Sequence, residues 1–321
     1  MMRLMGFVLM LAAACLPAEA QDVRERIVIK QTFKGKAIDI TGELRLPPGA
    51  PNSAKVPAMV IHHGSGGITD EREGRYAREL VKMGVAALVL DSFAGRGVTS
   101  TVRDQAAVSN NDMLADAFAA LKMLADHARI DGARVGIVGF SKGGSVALLA
   151  AHEKRAAPAL PAGLRFALHV PFYPSCSTQH YKPKTTGAPI YLLLGGADTY
   201  VGVTPCQDYA AALKAEGARI ETTVYQGAMH GFDGASAYQD PRGENFSRCI
   251  FAQQADGSWK EQASGVITND ASGKRIEAGY KQALATCRTL GVSGGPNAAA
   301  KAKALADLKV YVQRHLLGKQ P

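Results

Sequence analysis

A Gly-x-Ser-x-Gly motif directly follows a short apolar run near the middle of the chain. Gly139, Ser141 and Gly143 are its defining positions, residues 134–138 form the run, and residues 144–151 continue as an apolar helical pattern. A turn from strand into helix this tight leaves no room for side chains two positions before and after the serine, so glycine is needed there. The motif predicts a nucleophile elbow, with the Ser141 hydroxyl at the N-terminus of a helix.

With 34 glycines in the chain, such a motif can also arise in an ordinary strand-to-helix turn, so Ser141 needs partners. A serine hydroxyl becomes a nucleophile when a base oriented by a carboxylate accepts its proton. After elbows of this kind the acid comes first in the chain and the histidine second. Asp198 follows the apolar run 190–194, and His230 follows the run 220–225. We therefore predict that Ser141, Asp198 and His230 form a catalytic triad at one edge of a parallel sheet.

Each partner also has a simpler interpretation. Asp198 after Gly-Ala is typical of a turn or helix cap, and His230 alone would be an ordinary loop histidine. The serious rival to His230 is His180, which also lies in a predicted loop. The order and spacing of the three residues favour the triad.

Two backbone N–H groups are needed to stabilise the oxyanion that forms during attack on a carbonyl. The N–H of Lys142, directly after the serine, is the first candidate. The second lies in the His-His-Gly-Ser-Gly-Gly segment 62–67, whose glycines let the backbone approach a substrate. We predict Ser65 as that donor, although such a segment is also typical of a surface turn.

Four segments carry a family resemblance: residues 91–97, 139–144, 195–198 and 228–232. Together they resemble the dienelactone hydrolase family of α/β-hydrolases, over about residues 27–232 and the last helix. The resemblance implies hydrolysis of a carboxylic ester or lactone through an acyl-enzyme. Founding members use a cysteine nucleophile where this chain has Ser141, so lactone specificity does not carry over. Arg96 is a candidate for binding an acidic substrate group, or alternatively holds the Asp91 loop.

Two other functions share some of these features. A serine peptidase of the prolyl-oligopeptidase kind uses the same triad order but usually carries a large additional domain. A binding protein on a hydrolase scaffold would not need all three triad residues. We expect a small-molecule ester or lactone substrate, and neither a cofactor nor a metal ion.

Apolar segments typical of strands and helices alternate along the chain, which predicts an α/β fold with a mostly parallel, doubly wound sheet. Residues 26–33 and 38–46 alternate as an antiparallel edge hairpin, and Asn111 or Asp112 is predicted to cap the following long helix. Residues 233–296, rich in Gly, Asp, Asn and Ser, are too long for a connector and predict an ordered insertion before the last helix. Within it, residues 249–260 predict a hairpin with an Asp-Gly turn.

The N-terminus has the features of a secretory signal peptide: Arg3, an apolar core over residues 4–14, and an Ala-x-Ala site ending at Ala20. Residues 21–321 would then form one exported domain, periplasmic or extracellular. A lipoprotein anchor at Cys15 is the alternative. The net charge of +9 is spread along the chain without interleaved aromatic residues, which disfavours nucleic-acid binding. No apolar run long enough for a membrane span follows the signal. The oligomeric state stays open.

Four cysteines remain after the predicted cleavage, and an oxidising compartment would let them form disulfides. Three pairings are possible. We favour Cys176 with Cys206 and Cys249 with Cys287, because each pair occupies its own stretch of chain. The second bridge would close the insertion. Four unpaired buried thiols are the alternative.

Overall fold

The computed structural model describes residues 23–48 and 55–319. The predicted signal peptide, its cleavage site and Cys15 lie outside these residues. The strands of the described part are β1 (Val23–Phe33), β2 (Lys36–Leu46), β3 (Val56–His62), β4 (Ala86–Asp91), β5 (Ile130–Phe140), β6 (Leu168–Phe172), β7 (Thr178–Gln179), β8 (Ile190–Gly195), β9 (Ile220–Tyr225), β10 (Tyr238–Asn245), β11 (Phe251–Gln253), β12 (Trp259–Glu261), β13 (Ile267–Asn269) and β14 (Thr289–Gly294). The α-helices are α1 (Arg75–Lys82), α2 (Asn110–Asp126), α3 (Lys142–Leu149), α4 (Glu153–Ala156), α5 (Thr204–Ala215), α6 (Glu277–Cys287) and α7 (Ala298–His315).

The main sheet has eight strands in the order β1-β2-β4-β3-β5-β6-β8-β9. β1 and β2 form the predicted antiparallel edge hairpin, β2 also pairs antiparallel with β4, and the six remaining strands are parallel. The prediction of a mostly parallel sheet is confirmed. Because the parallel strands share one direction, the segments that follow them emerge at one edge.

Helices cover both faces of this sheet. Alternate residues of β3 show the division: Ala58 and Val60 pack into the cluster that contains α2 and α3, whereas Met59 and Ile61 pack into the cluster with α1 and α7. Successive side chains of a strand point to opposite faces, so a strand buried on both sides is apolar at every position. This explains why the central strands are continuous apolar runs in the sequence.

The N-cap of α2 differs from the prediction. Ser109, rather than Asn111 or Asp112, caps the helix by accepting a hydrogen bond from the Asp112 N–H. The Asp112 side chain accepts from the Ser109 N–H in return, at 2.8 Å. The two residues form a capping box, in which Asp112 occupies the third helical position instead of the cap.

Residues 233–296 contain their own secondary structure, and the end of this segment lies beside its beginning. β10 and β14 pair antiparallel, and the predicted hairpin is present as β11 and β12. β11 also pairs parallel with β7, which lies outside the insertion. At its base, the Gly295 N–H donates to the His230 carbonyl at 3.0 Å and the Asn297 N–H to the Phe232 carbonyl at 2.9 Å. The insertion is therefore tied to the backbone beside His230.

Candidate active site

Ser141 lies between the end of β5 and the start of α3, in a backbone conformation that is rare for residues other than glycine. Its φ is 55° and its ψ is −113°. The flanking glycines make this turn possible: a Cβ on Gly139 would collide with the Gly143 carbonyl, and one on Gly143 with the His62 carbonyl. This is the geometry expected of the elbow, since the strained corner is held by close packing on both sides.

Ser141, His230 and Asp198 form a continuous chain of hydrogen bonds. The Ser141 Oγ lies 2.8 Å from His230 Nε2, and His230 Nδ1 lies 2.6 Å from Asp198 Oδ2. In the neutral imidazole, Nδ1–H donates to the carboxylate and Nε2 accepts from the serine hydroxyl. Asp198 and His230 follow β8 and β9, so the parallel sheet delivers both to the edge that carries Ser141.

The Asp198 carboxylate is held in its charged form. Burial by itself raises the pKa of this carboxyl, but the positive charge that His230 carries when protonated and the ring hydrogen bond outweigh burial. The N–H groups of Tyr200 and Val201 also donate to Asp198 Oδ1, at 2.9 and 3.1 Å. The net result is a pKa below the ordinary value, which suits a group that orients an imidazole.

Aromatic rings enclose the imidazole of His230. Tyr173 packs edge-on against it with ring centroids 4.8 Å apart, and the Tyr200 ring lies at 4.7 Å. The residue is only 2% exposed. Packing of this kind restricts the ring to the orientation in which both nitrogens reach their partners.

The two predicted oxyanion donors lie beside Ser141. Gly64 packs so closely that a Cβ on it would lie 3.3 Å from the Ser141 Cβ, which brings Ser65 to the serine. Lys142 is the first residue of α3. In residues 23–48 and 55–319, neither the Ser65 N–H nor the Lys142 N–H donates to a protein acceptor. Both are therefore available to a ligand.

Comparison with known proteins gives the family. The model of the dienelactone hydrolase family matches residues 47–260, well over half of the chain. The chain belongs to the dienelactone hydrolase family. A curated relative from a Bradyrhizobium species, described as a "Probable 2-oxo-3-(5-oxofuran-2-ylidene)propanoate lactonase", is 26% identical over 190 residues, which are 56% of this chain and 75% of that protein.

Solved structures share the fold of this dienelactone hydrolase family member. Esterase 2 of Thermogutta terrifontis, phosphorylated by paraoxon, superposes with a TM-score of 0.52 at 19% identity and covers 66% of this chain and 85% of its own. A dienelactone hydrolase-like promiscuous phosphotriesterase from metagenomic libraries has a TM-score of 0.52 at 17% identity, over 89% of this chain and 95% of its own. The fold is that of the α/β-hydrolases.

In this family member, Ser141 opens into a cavity of about 570 Å³. Ser65, Lys142 and Tyr200 of the core line it together with Ser141. The insertion contributes further wall residues, which are Glu244, Phe246, Phe251, Trp259, Asn269, Arg275, Tyr280, Leu284 and Arg288. The insertion therefore forms part of the wall of the cavity that contains Ser141.

The side chains of Ser65 and Lys142 share an acceptor that the sequence did not reveal. Gln105 Oε1 accepts a hydrogen bond from Ser65 Oγ at 3.0 Å and from Lys142 Nζ at 3.1 Å. The Gln105 carbonyl accepts a further bond from Lys142 Nζ, at 2.7 Å. Burial lowers the pKa of Lys142 to about 8. Gln105 lies in an irregular segment between β4 and α2, and no local pattern marks it.

Arg96 does not line this cavity. Its guanidinium is buried and pairs with both oxygens of Asp116, at 2.7 and 3.0 Å, while also donating to the Ser92 carbonyl. The side chain is 2% exposed. The prediction that Arg96 binds an acidic substrate group is therefore replaced by its alternative, in which the arginine holds the loop after β4.

The remaining predicted residues also have defined places. Cys176 is joined to Cys206, and Cys249 to Cys287, which is the pairing that we favoured. His180, the rival to His230, packs against His152 and Trp259, whereas the imidazole that is hydrogen-bonded to Ser141 is that of His230. Across the described ranges, no helix is long and apolar enough to cross a membrane, and no group of three His, Cys, Asp or Glu side chains has an arrangement that would hold a metal ion.

Proposed function

We propose that this protein is a serine hydrolase that cleaves a carboxylic ester or lactone through an acyl-enzyme intermediate. The observation that carries the proposal is the hydrogen-bond chain from Ser141 through His230 to Asp198, with distances of 2.8 and 2.6 Å. Family membership and the lactonase and esterase named among its relatives support the reaction class.

Each residue has a role in the proposed reaction. His230 Nε2 takes the proton of Ser141 as Oγ attacks the substrate carbonyl carbon, and the N–H groups of Ser65 and Lys142 stabilise the oxyanion. Protonated His230 then gives this proton to the leaving alkoxide, which departs as the alcohol. Water, deprotonated by His230, attacks the acyl-enzyme, and the acid leaves as Ser141 is reprotonated. Asp198 holds the imidazole in the required tautomer throughout.

The two other functions receive less support. A binding protein would have no need of the strained serine, the oriented imidazole and free N–H groups together. A peptidase of the prolyl-oligopeptidase kind is distinguished by its substrate, so peptides belong in the assay beside esters and lactones.

Labelling with a fluorophosphonate tests the nucleophile directly. We expect the wild-type protein to gain one covalent adduct on the peptide that contains Ser141. The Ser141→Ala variant should stay unlabelled and lose ester hydrolysis by about 10⁴-fold or more, with an unchanged circular dichroism spectrum. Asp198→Asn should lose activity on a similar scale, because the amide cannot select the tautomer. An adduct on another residue, or an active Ser141→Ala variant, would exclude this mechanism.

We also propose that the protein is exported and that residues 21–321 form one domain. The two disulfides favour an oxidising compartment. The pairing of β11 with β7 supports one unit, because it joins the insertion to a segment that lies before β8. Analysis of the periplasmic fraction and N-terminal sequencing of the mature protein test export and cleavage after Ala20.

A further inference from the structure

Aromatic side chains of the insertion form part of the wall of the cavity that contains Ser141. They are Phe246, Phe251, Trp259 and Tyr280. Aromatic walls bind flat rings through offset-stacked or edge-on contacts, which favour a ring over an alkyl chain of equal size. We propose that the insertion forms a subsite for an aromatic ring of the substrate. This inference rests on the proposed function, since it names the ester class that Ser141 would cleave.

The aromatic wall is preorganised by contacts among its own side chains and with neighbouring residues. The rings of Phe251 and Tyr280 lie 5.6 Å apart and are tilted by 32°, and Trp259 packs edge-on against His180 at 4.9 Å. Phe251 and Trp259 begin the two strands of the hairpin β11–β12, which is itself paired with β7. Side chains locked by their neighbours lose little conformational entropy when a ligand binds.

The ring attracted to this wall should carry a polar or anionic substituent. The cavity is lined by four cationic side chains, Lys142, Arg155, Arg275 and Arg288, and by the carboxylates of Asp104 and Glu244. Of the four, Arg288 pairs with Glu244 at 2.7 Å. Arg155 and Arg275 have no ion pair within the described ranges.

The Arg275 guanidinium lies instead over the Tyr280 ring, 4.1 Å from its centroid. A guanidinium that stacks on an aromatic face can still donate hydrogen bonds, because its N–H groups lie in the plane of the guanidinium and not toward the ring. These donors can reach a carboxylate or hydroxyl oxygen on a ring that packs in the same part of the cavity. The chemical class is therefore an ester of an aromatic acid or aromatic alcohol with an oxygen substituent on its ring.

Matched ester pairs test the preference. Methyl benzoate is compared with methyl hexanoate, and benzyl acetate with hexyl acetate, with acid release followed at constant pH. We expect kcat/KM to be about tenfold higher for the aromatic member of at least one pair. Monomethyl terephthalate should exceed methyl benzoate, and Arg275→Gln should reduce that advantage.

Variants of the wall connect the preference to the insertion. Trp259→Leu and Phe251→Leu should each lower the ratio of aromatic to aliphatic kcat/KM by about tenfold. The matched control is Tyr181→Leu, an aromatic residue outside the cavity that is 44% exposed, for which the ratio should not change. Equal or better hydrolysis of the aliphatic esters, or an unchanged ratio in both wall variants, would overturn the inference.

Trp259 gives a second readout that needs no catalysis. It is the only tryptophan in the chain, so its emission reports on this wall alone. In Ser141→Ala, monomethyl terephthalate should change the emission with a saturable dependence, whereas methyl hexanoate should not. If the wild-type protein hydrolyses no ester but the Trp259 emission still responds to monomethyl terephthalate, the proposed function is contradicted while the ring subsite is supported. Ester hydrolysis without this response would contradict the ring subsite alone.

Discussion

The Glu244 carboxylate in the insertion accepts a hydrogen bond from the backbone N–H of Gln105 at 2.8 Å. Its other oxygen accepts from Arg288, also in the insertion. The Gln105 side chain in turn accepts hydrogen bonds from the side chains of Ser65 and Lys142. A continuous path of hydrogen bonds therefore runs from the insertion to the two residues whose backbone N–H groups are the proposed oxyanion donors. The insertion is therefore hydrogen-bonded to the segment that contacts Ser65 and Lys142, and it also lines the cavity that contains Ser141.

We expect Gln105 to act as a positioning residue for the two proposed oxyanion donors, and the Gln105→Ala variant tests this role. Loss of the shared acceptor frees the segments that present the Ser65 and Lys142 N–H groups, so oxyanion stabilisation should weaken. We expect kcat to fall by about tenfold or more with a smaller change in KM. Steady-state kinetics measure the split. Gln207→Ala, an exposed glutamine on α5, is the matched control. A change confined to thermal stability would argue against this role.

The Lys142 side chain should make stability depend on pH in the alkaline range. Burial lowers its pKa from 10.5 to about 8, so the native state loses the proton before the unfolded state does. The unfolded state then binds more protons between about pH 8 and 10.5, and the free energy of unfolding rises with pH across that window. Below the native-state pKa, Lys142 is charged in both the folded and the unfolded protein, so the free-energy cost of burying that charge lowers stability in full.

Thermal unfolding of the wild-type protein and Lys142→Met at several pH values measures this effect. The difference in Tm should shift in favour of the wild type as the pH rises from about 8 to 10. Subtracting the Tm of the variant from that of the wild type removes the pH dependence that tyrosines and the other lysines contribute to both proteins. A difference that is constant with pH would show that Lys142 titrates normally in the folded protein.

The Cys249–Cys287 bridge should stabilise the insertion. It spans 38 residues, and closing such a loop in the unfolded chain corresponds to about 3 to 4 kcal/mol in the chain-entropy model. The double variant Cys249→Ala, Cys287→Ala should lower the Tm and also the activity, because the insertion is bonded to the His230 backbone and to Gln105. Peptide mapping of the non-reduced protein checks the pairing. Full activity together with unchanged thermal stability in the double variant would contradict this expectation.

Tyr173 packs its ring against His230, and its hydroxyl is hydrogen-bonded to the buried carboxylate of Asp233. Its hydroxyl donates to Asp233 Oδ1 at 2.5 Å, and Asp233 Oδ2 has no hydrogen-bond partner within the described ranges. Tyr173→Phe keeps the ring against His230 but removes this hydrogen-bond donor from the carboxylate. We expect the free energy of unfolding to fall by about 2 kcal/mol, with a smaller effect on kcat. Tyr181→Phe, which lies on the surface, serves as the control in denaturant titrations.

Short-range patterns in the sequence predicted the sheet and the order of the triad. The apolar runs ending near Ser141, Asp198 and His230 predicted three strands, and parallel strands bring the residues that follow them to one edge. The favoured pairing of the four cysteines depends on their order in the chain, because each pair occupies its own stretch, and the two disulfides follow that pairing. The sequence predicts Asn111 or Asp112 as the cap of α2, whereas Ser109 takes that position, because residues 109–112 form a Ser-x-x-Asp capping box with Asp112 at the third helical position.

The sequence by itself determined the α/β architecture, the elbow glycines and the candidate triad, because each depends on residues a few positions apart or on the period of a strand. Only the tertiary structure decided that Arg96 pairs with Asp116, that Gln105 accepts hydrogen bonds from both Ser65 and Lys142, and that the insertion forms part of the cavity wall. These are contacts between residues far apart in the chain. Whether a side chain meets a substrate or a buried partner depends on the packing of the whole fold, and no local pattern encodes that packing.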